Sequence, residues 1–495
     1  MRTTAPRPFF APHHIILRAS FPPFPPDVPG FHARRLAKYG RVYRSHALGA
    51  PLTCVADAAQ VRRLLLGEGG AEPITATDWT PPVRALLGPE SLLMKSGAAH
   101  AASRRILAQA FTGAAVDSYQ PLVRDATARA VADWAAACAA TPGATISALG
   151  KGKDLAFNVA ARALIAGDMP EETMERFRAD FDLFTLGFFG IPVPLPGTAF
   201  RRALAARERV LARIDTLVDA EAAAIAGEGA GRTPGVAASP PGRPKTALRL
   251  MMTADDPEHP GSKIGRGELR DQVVTQLFAG HETTGTTIAR LMAFVTPARF
   301  PGVIKRLADE QGAVVARCGP DLTPEAMAAM PYLDCVIKET NRLFPIVSGV
   351  FRKALVDLAV CGYRVPAGER MMVMLGQTQS QVEEFQGDLA DFLPERWLAF
   401  AKKDPPAFMP FGVGPHVCLG MGLALSEIKV VLATLVRDYE WGPTDPEAAL
   451  KWRAPLLPAD GVPVQVWKRG TPRPPLPVPP KAEVAVGADA WWVGA

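Results

Sequence analysis

A mainly α fold with a small β-rich lobe is what this 495-residue sequence predicts, and three features carry the reading. Leu269 to Phe294 is one long apolar stretch, of the length and composition of a buried central helix. Leu423 towards Leu435 repeats apolar residues at helical spacing directly after a glycine-rich turn. Strand-like patterns gather only near 42–57 and 350–375, enough for a minor lobe.

Taken in order, residues 1–30 form a separate leading segment. Met1 to Pro26 hold Arg2, Arg7 and Arg18 but no acid, a composition that fits an organellar transit peptide or a mis-started or truncated reading frame. Phe21-Pro-Pro-Phe-Pro-Pro26 is a stiff polyproline stretch before the globular part. Phe31 to Gly40 reads as a helix, Val42–Gly49 with Pro51–Ala56 as a hairpin, and Val61–Leu66 as a further helix. His100-Ala-Ala-Ser-Arg104-Arg105 starts a helix with Ile106, Leu107 and Phe111 on one face, and places His100 and Arg104 one turn apart on a shared side. Gly227 to Pro244 is rich in Gly, Pro and Ala, which suits a mobile surface loop between two long helices. Lys338 to Arg342 is helical, and strand patterns follow Phe351-Arg352-Lys353 as far as Gly368. The main domain spans 31–468, and 469–495 is a proline-rich, disordered tail.

Composition narrows the function. Hydrophobic residues make up 48% and charged ones 21%, so the chain is globular. The six cysteines show no CxxC pair, which argues against a zinc site and a disulfide framework. No run of 18 apolar residues occurs, so no membrane span is expected and the chain is soluble or peripheral. A formal net charge of +6 is too diffuse to argue nucleic-acid binding.

Chemistry centres on Phe411-Gly412-Val413-Gly414-Pro415-His416-Val417-Cys418-Leu419-Gly420. Glycines before the cysteine let the backbone approach a flat partner, and those after it open a helix whose positive end favours a thiolate. A sole thiolate in an apolar loop suits haem iron better than zinc, which requires three or four protein ligands. Within the central helix, Ala279-Gly280-His281-Glu282-Thr283-Thr284-Gly285 combines a glycine with a back-bonding hydroxyl, so an opened turn that admits water is expected. A zinc protease motif starting at His281-Glu282 would need a histidine where Gly285 stands.

Phe411, Gly414, His416, Cys418 and Gly420 resemble the haem loop of the cytochrome P-450 monooxygenases, with His416 where that family more often has arginine. The resemblance implies heme b bound through the Cys418 thiolate, held between the Leu269–Phe294 and Leu419–Leu435 helices. It implies propionate contacts from His100, Arg104 and Arg352, and an acid–alcohol pair, Glu282 and Thr283, that supplies the protons consumed in activating dioxygen. Glu339, Arg342 and Arg396, from Lys338-Glu-Thr-Asn-Arg342 and Phe392-Leu-Pro-Glu-Arg-Trp397, resemble the family's buried Glu-Arg-Arg triad. Gly376-Gln-Thr-Gln-Ser380 departs from the family, which usually has a histidine there.

Electrons would come from NADPH through a separate NADPH-cytochrome reductase or a ferredoxin, because no flavin or nicotinamide fingerprint is present. The mild positive charge is compatible with an acidic electron donor or with peripheral contact to an anionic membrane. Lys38-Tyr-Gly-Arg-Val-Tyr43, Val61-Arg-Arg-Leu-Leu-Leu-Gly67-Glu68 and Ile191-Pro-Val-Pro-Leu-Pro-Gly197 look like the branch of retinoic-acid hydroxylases and plant steroid hydroxylases. That branch implies an apolar isoprenoid substrate, whether retinoid, apocarotenoid or sterol, and a plastid or other organelle is compatible with the leading segment. Pocket candidates are Phe181, Phe184, Phe188, Phe189, Leu277, Phe278, Ile346, Val347 and Leu456. The loop also looks like that of sterol side-chain desaturases. A haem-thiolate isomerase or dehydratase, or a non-catalytic haem sensor, are the readings from other classes, and the intact Glu282-Thr283 pair argues against the first.

Overall fold

The computed structural model describes residues 28–476, apart from 48–49, 70, 166–168, 189–191, 231–245, 383–384, 386, 401–402 and 447–460. The leading segment to residue 27, Phe189, Leu456 and the chain beyond 476 therefore lie outside the described residues.

Helix α1 (Val28–Tyr39) leads into strands β1 (Val42–Ala47) and β2 (Ala50–Val55), which pair antiparallel from Val42 with Val55 to Ala47 with Ala50. Asp57 then starts α2 (Ala58–Leu66) by accepting the Gln60 N–H at 3.0 Å. After β3 (Thr75–Thr77) come α3 (Pro81–Leu87), α4 (Gly97–Ala108), α5 (Gly113–Ala139) and β4 (Ile146–Ser147). Next in the chain are α6 (Ala148–Leu164), α7 (Glu171–Thr185), α8 (Ala199–Ala230), α9 (Ala247–Thr253) and α10 (Arg266–Phe294). Prolines at the first position open α11 (Pro301–Cys318), α12 (Pro324–Ala328) and α13 (Pro331–Leu343), where a missing N–H costs nothing. Strands β5 (Val350–Ala354), β6 (Leu358–Val360), β7 (Tyr363–Val365) and β8 (Arg370–Val373) follow, then α14 (Leu375–Thr378), α15 (Met421–Asp438), β9 (Tyr439–Pro443) and β10 (Pro463–Lys468).

The β lobe is a five-stranded sheet in the order β1-β2-β8-β5-β3, joining the two predicted strand regions through the parallel β2–β8 pair. Smaller sheets hold β4-β10-β9 and β6-β7. The helical core is filled by Phe157, Phe177, Phe181 and Phe184 with Leu277, Ile288 and Met292, all of them fully buried. Each such aromatic contributes roughly 2–3 kcal/mol on burial. Phe181 is thus packed core rather than pocket wall: its ring meets Phe157 at 5.2 Å and Phe177 at 6.4 Å.

The crossing of α6 over α10 positions the site. A Cβ on Gly152 would lie 2.5 Å from the Gly285 carbonyl oxygen, and one on Gly285 2.7 Å from the Lys153 Cα, so only glycine at both places lets the backbones touch.

Three expectations need correction. Helix α8 continues to Ala230, through the start of the proposed 227–244 loop, and the remainder of that loop lies outside the described residues. Helix α10 runs unbroken through Gly280 and Thr283: the Thr283 hydroxyl donates to the Ala279 carbonyl at 2.7 Å, and this back-bond does not open the turn. The beginning of the proline-rich end is tied down: Gln465 Nε2 donates to the Pro475 carbonyl at 2.8 Å, and Arg473 Nε to Gln465 Oε1 at 3.2 Å.

Candidate active site

Cys418 sits between a tight turn and α15. Gly412 and Gly414 adopt φ of +72° and +77°, and a Cβ on Gly414 would lie 2.7 Å from the Leu65 carbonyl oxygen, so the loop folds flat against the end of α2. The Cys418 N–H donates to the Phe411 carbonyl at 2.9 Å, closing the turn. The residue is accessible, and the Gly420 N–H points at its sulfur. Burial pushes the thiol up from its ordinary value, and the Gly420 N–H and the Arg104 charge only partly oppose this. A coordinated metal deprotonates such a thiol outright.

The residues expected to meet the haem carboxylates, His100, Arg104 and Arg352, divide as follows. Arg104 on α4 faces the cysteine; burial lowers its pKa and the Cys418 charge opposes that shift. Its neighbour Arg105 turns the other way, into a two-pronged ion pair with Asp256 at 2.7 Å. His100 is buried, and its ring lies 3.9 Å from that of His416. Burial, then the charges of His416 and Arg104, hold His100 down to about 3, so it is a neutral ring. Arg352 on β5 is buried beside Glu68, whose Oε1 is 2.7 Å from His416 Nε2 and whose Oε2 is 3.3 Å from Arg352 Nε.

On α10, Glu282 does not stand free. Lys153 Nζ lies 2.9 Å and 2.8 Å from its two carboxylate oxygens, and His281 Nδ1 is 3.3 Å away without the alignment of a hydrogen bond. Burial alone would raise the Glu282 pKa, but the His281 ring and the Lys153 ammonium hold it down to about 2. Glu282 is thus held as a carboxylate that accepts hydrogen bonds. Lys153 escaped the sequence reading because nothing near it in the chain signals the Gly152–Gly285 contact that brings it there.

Glu339, Arg342 and Arg396 meet in the interior, each nearly fully buried. Arg342 Nε and Nη2 reach the two Glu339 oxygens at 2.8 Å and 2.9 Å, and Arg396 Nε reaches Oε1 at 3.0 Å. Trp397 Nε1 and the Leu393 N–H also donate to Glu339, both at 2.9 Å, and neither was singled out from sequence. In the departing segment, Thr378 donates to the Leu375 and Ala407 carbonyls and Gln381 to the Ala56 carbonyl, a tethering role.

Among the pocket candidates, Phe188 stacks on Phe278 with centroids 4.0 Å apart and planes 17° from parallel, and Phe184 meets Phe188 edge-on at 5.3 Å. Leu277 is fully buried in the core around α10. Ile346 and Val347 lie between α13 and β5, where Val347 is exposed.

A cysteine on a glycine-hinged loop at the start of α15, with Arg104 facing it and a triad locking the adjoining segment, defines a haem-thiolate oxidoreductase site. The Cytochrome P-450 family model matches residues 30–461. The chain belongs to the cytochrome P-450 family, and it is a monooxygenase that carries haem through a cysteine thiolate and draws electrons from a redox partner. It is similar to Cytochrome P-450 26C1 of Homo sapiens, 28% identical over 463 residues that cover 87% of this chain and 83% of that one. Cytochrome P-450 26B1 of Danio rerio is 29% identical over 414 residues, 82% and 76% of the two chains. Among solved structures, a retinoic acid bound cyanobacterial CYP120A1 aligns with a TM-score of 0.74 at 26% identity, over 90% of this chain and 94% of that one. A second, CYP102L1, aligns at 0.70 and 21% identity over 88% and 94%, a likeness of fold alone.

The residues present fit haem. Among the described residues, His100 Nε2 has no hydrogen-bond partner and Arg352 Nε, 3.3 Å from Glu68 Oε2, makes no aligned hydrogen bond, a donor set that a carboxylate-bearing planar group would satisfy. Among the described residues no helix is long and apolar enough to cross a membrane.

Proposed function

We propose that this monooxygenase hydroxylates an apolar, extended isoprenoid of the retinoid or apocarotenoid type, with electrons passed from NADPH by a separate reductase or ferredoxin. The observation that carries this is the Phe188–Phe278 stack: a flat aromatic wall over α10 suits a planar conjugated chain better than a puckered ring system. The similarity to a retinoic-acid-bound relative supports the same reading.

Haem bound at Cys418 supplies the iron at which dioxygen is activated. Around it, His100, Arg104, Arg352 and His416 would take the haem carboxylates, while Phe188 and Phe278 would exclude water from the substrate side. The Thr283 hydroxyl donates to Ala279 and keeps its lone pairs for a water proton. The Glu282 carboxylate, held by Lys153, orients that water.

Titration of the ferric protein with retinoids, sterols and fatty acids tests the substrate class. A blue shift of the main haem absorption band at micromolar retinoid, with a hydroxylated product, is expected; a response to sterols alone would overturn the reading.

Lys153→Met is expected to lower product formed per NADPH, with the balance leaving as hydrogen peroxide, and Thr283→Ala to do the same. Lys153→Met should also cost about 2–3 kcal/mol of stability, since it leaves the Glu282 charge buried. Because the folded-state pKa of Glu282 is depressed, the pair stabilises above the unfolded value near 4.5 and loses its effect as pH falls towards 2. The difference in unfolding midpoint between wild type and mutant should therefore shrink below about pH 4.5. Unchanged coupling in both variants would remove the pair from the reaction.

A further inference from the structure

Glu68 has no role in the reading above, yet its carboxylate is almost fully buried in the middle of the cation cluster. It follows Gly67 at the end of α2, the point where the cysteine loop lands. A Cβ on Gly69 would lie 2.8 Å from the Pro415 ring, and Gly414 packs on the Leu65 carbonyl, so the chain meets the loop on both sides of Glu68, through the proline ring on one and the backbone on the other. From there the carboxylate reaches His416 at 2.7 Å and Arg352 at 3.3 Å. Burial would raise its pKa, but His416, Arg352 and Ser96 hold it below the ordinary value, so the group is a carboxylate. Three pieces far apart in the chain therefore converge on one buried anion: the end of α2, the loop two residues before Cys418, and the internal strand β5.

We propose that Glu68 is a positioning residue that clamps the cysteine loop to the β lobe through His416 and Arg352, and so fixes the cations that hold the haem carboxylates. A histidine at 416 reaches less far than the arginine more often found there, and the Glu68 carboxylate supplies the missing constraint by fixing the ring against His100.

Ferric holoprotein is mixed with excess apomyoglobin and the rate of haem transfer is followed, together with the thermal midpoint and the carbon monoxide spectrum of the reduced protein. Glu68→Gln should release haem roughly ten- to a hundredfold faster, the loss expected for one charge-assisted hydrogen bond. It should also raise the fraction lacking the red-shifted band of thiolate-ligated haem. His416→Ala should do likewise, and adding Glu68→Gln to it should change little, because both break the same link. Glu68→Asp, which keeps the charge, should recover part of the retention; His416→Arg should slow release when Glu68 is present and not when it is Gln. Haem transfer at or below the wild-type rate in Glu68→Gln, or additive effects of Glu68→Gln and His416→Ala, would overturn the proposal. Should Glu68→Gln fold poorly, the dependence of His416→Arg on Glu68→Asp gives the same answer.

Discussion

Glu339→Ala is expected to yield little soluble, haem-loaded protein. The carboxylate is fully buried and accepts from Arg342, Arg396, Trp397 and the Leu393 backbone, so its removal strands two guanidinium groups in the interior. Breaking such a network costs about 3–5 kcal/mol, a large share of the roughly 5–15 kcal/mol that separates a folded domain from its unfolded chain. The damage should be local first. Arg342 also donates to the Leu389 and Asp391 carbonyls, and Arg396 to that of Asp388, so the network fixes the irregular stretch that precedes the cysteine loop. Glu339→Gln keeps the shape and should lose less, because neutral amide oxygen still accepts from Trp397 or Leu393. Thermal midpoint and haem per chain are the measurements; a wild-type midpoint with full haem content in Glu339→Ala would show that the network does not hold the loop.

Cys418→Ser is expected to leave the fold intact and abolish monooxygenation. A serine oxygen can still receive the Gly420 N–H, and the loop turn is made by backbone atoms and by glycines at positive φ, none of which the substitution alters. What disappears is the thiolate, whose electron donation to iron favours cleavage of the oxygen–oxygen bond. The reduced, carbon monoxide-treated variant should lack the red-shifted absorption of thiolate-ligated haem while its helical circular dichroism matches wild type. A retained thiolate band would mean that another cysteine binds the iron. Cys54, Cys138 and Cys335 are buried among apolar neighbours, which disfavours that outcome.

Periodicity and motif made the central helix, the cysteine loop, the hairpin and the helix holding Glu339 and Arg342 legible, because each of these is coded by residues close together in the chain. The loop was legible for a further reason: Gly412 and Gly414 occupy backbone conformations that glycine favours, so geometry is written directly into residue type. Phe411 to Gly420 likewise announced a metal-binding thiolate before any contact was known.

Tertiary structure alone decided the electrostatics. Whether Cys418 ionises unaided, whether Glu282 holds a proton, and which of Arg104 and Arg105 faces the cysteine depend on partners far away in sequence. Lys153 lies 129 positions from Glu282, and Glu68 348 from His416. Burial raises the cost of every charge and nearby countercharges offset it, so the net sign follows from which side chains the packing brings within a few ångströms. A glycine pair between α6 and α10 and a flat landing of the loop on α2 set those distances, and neither leaves a local trace in the sequence.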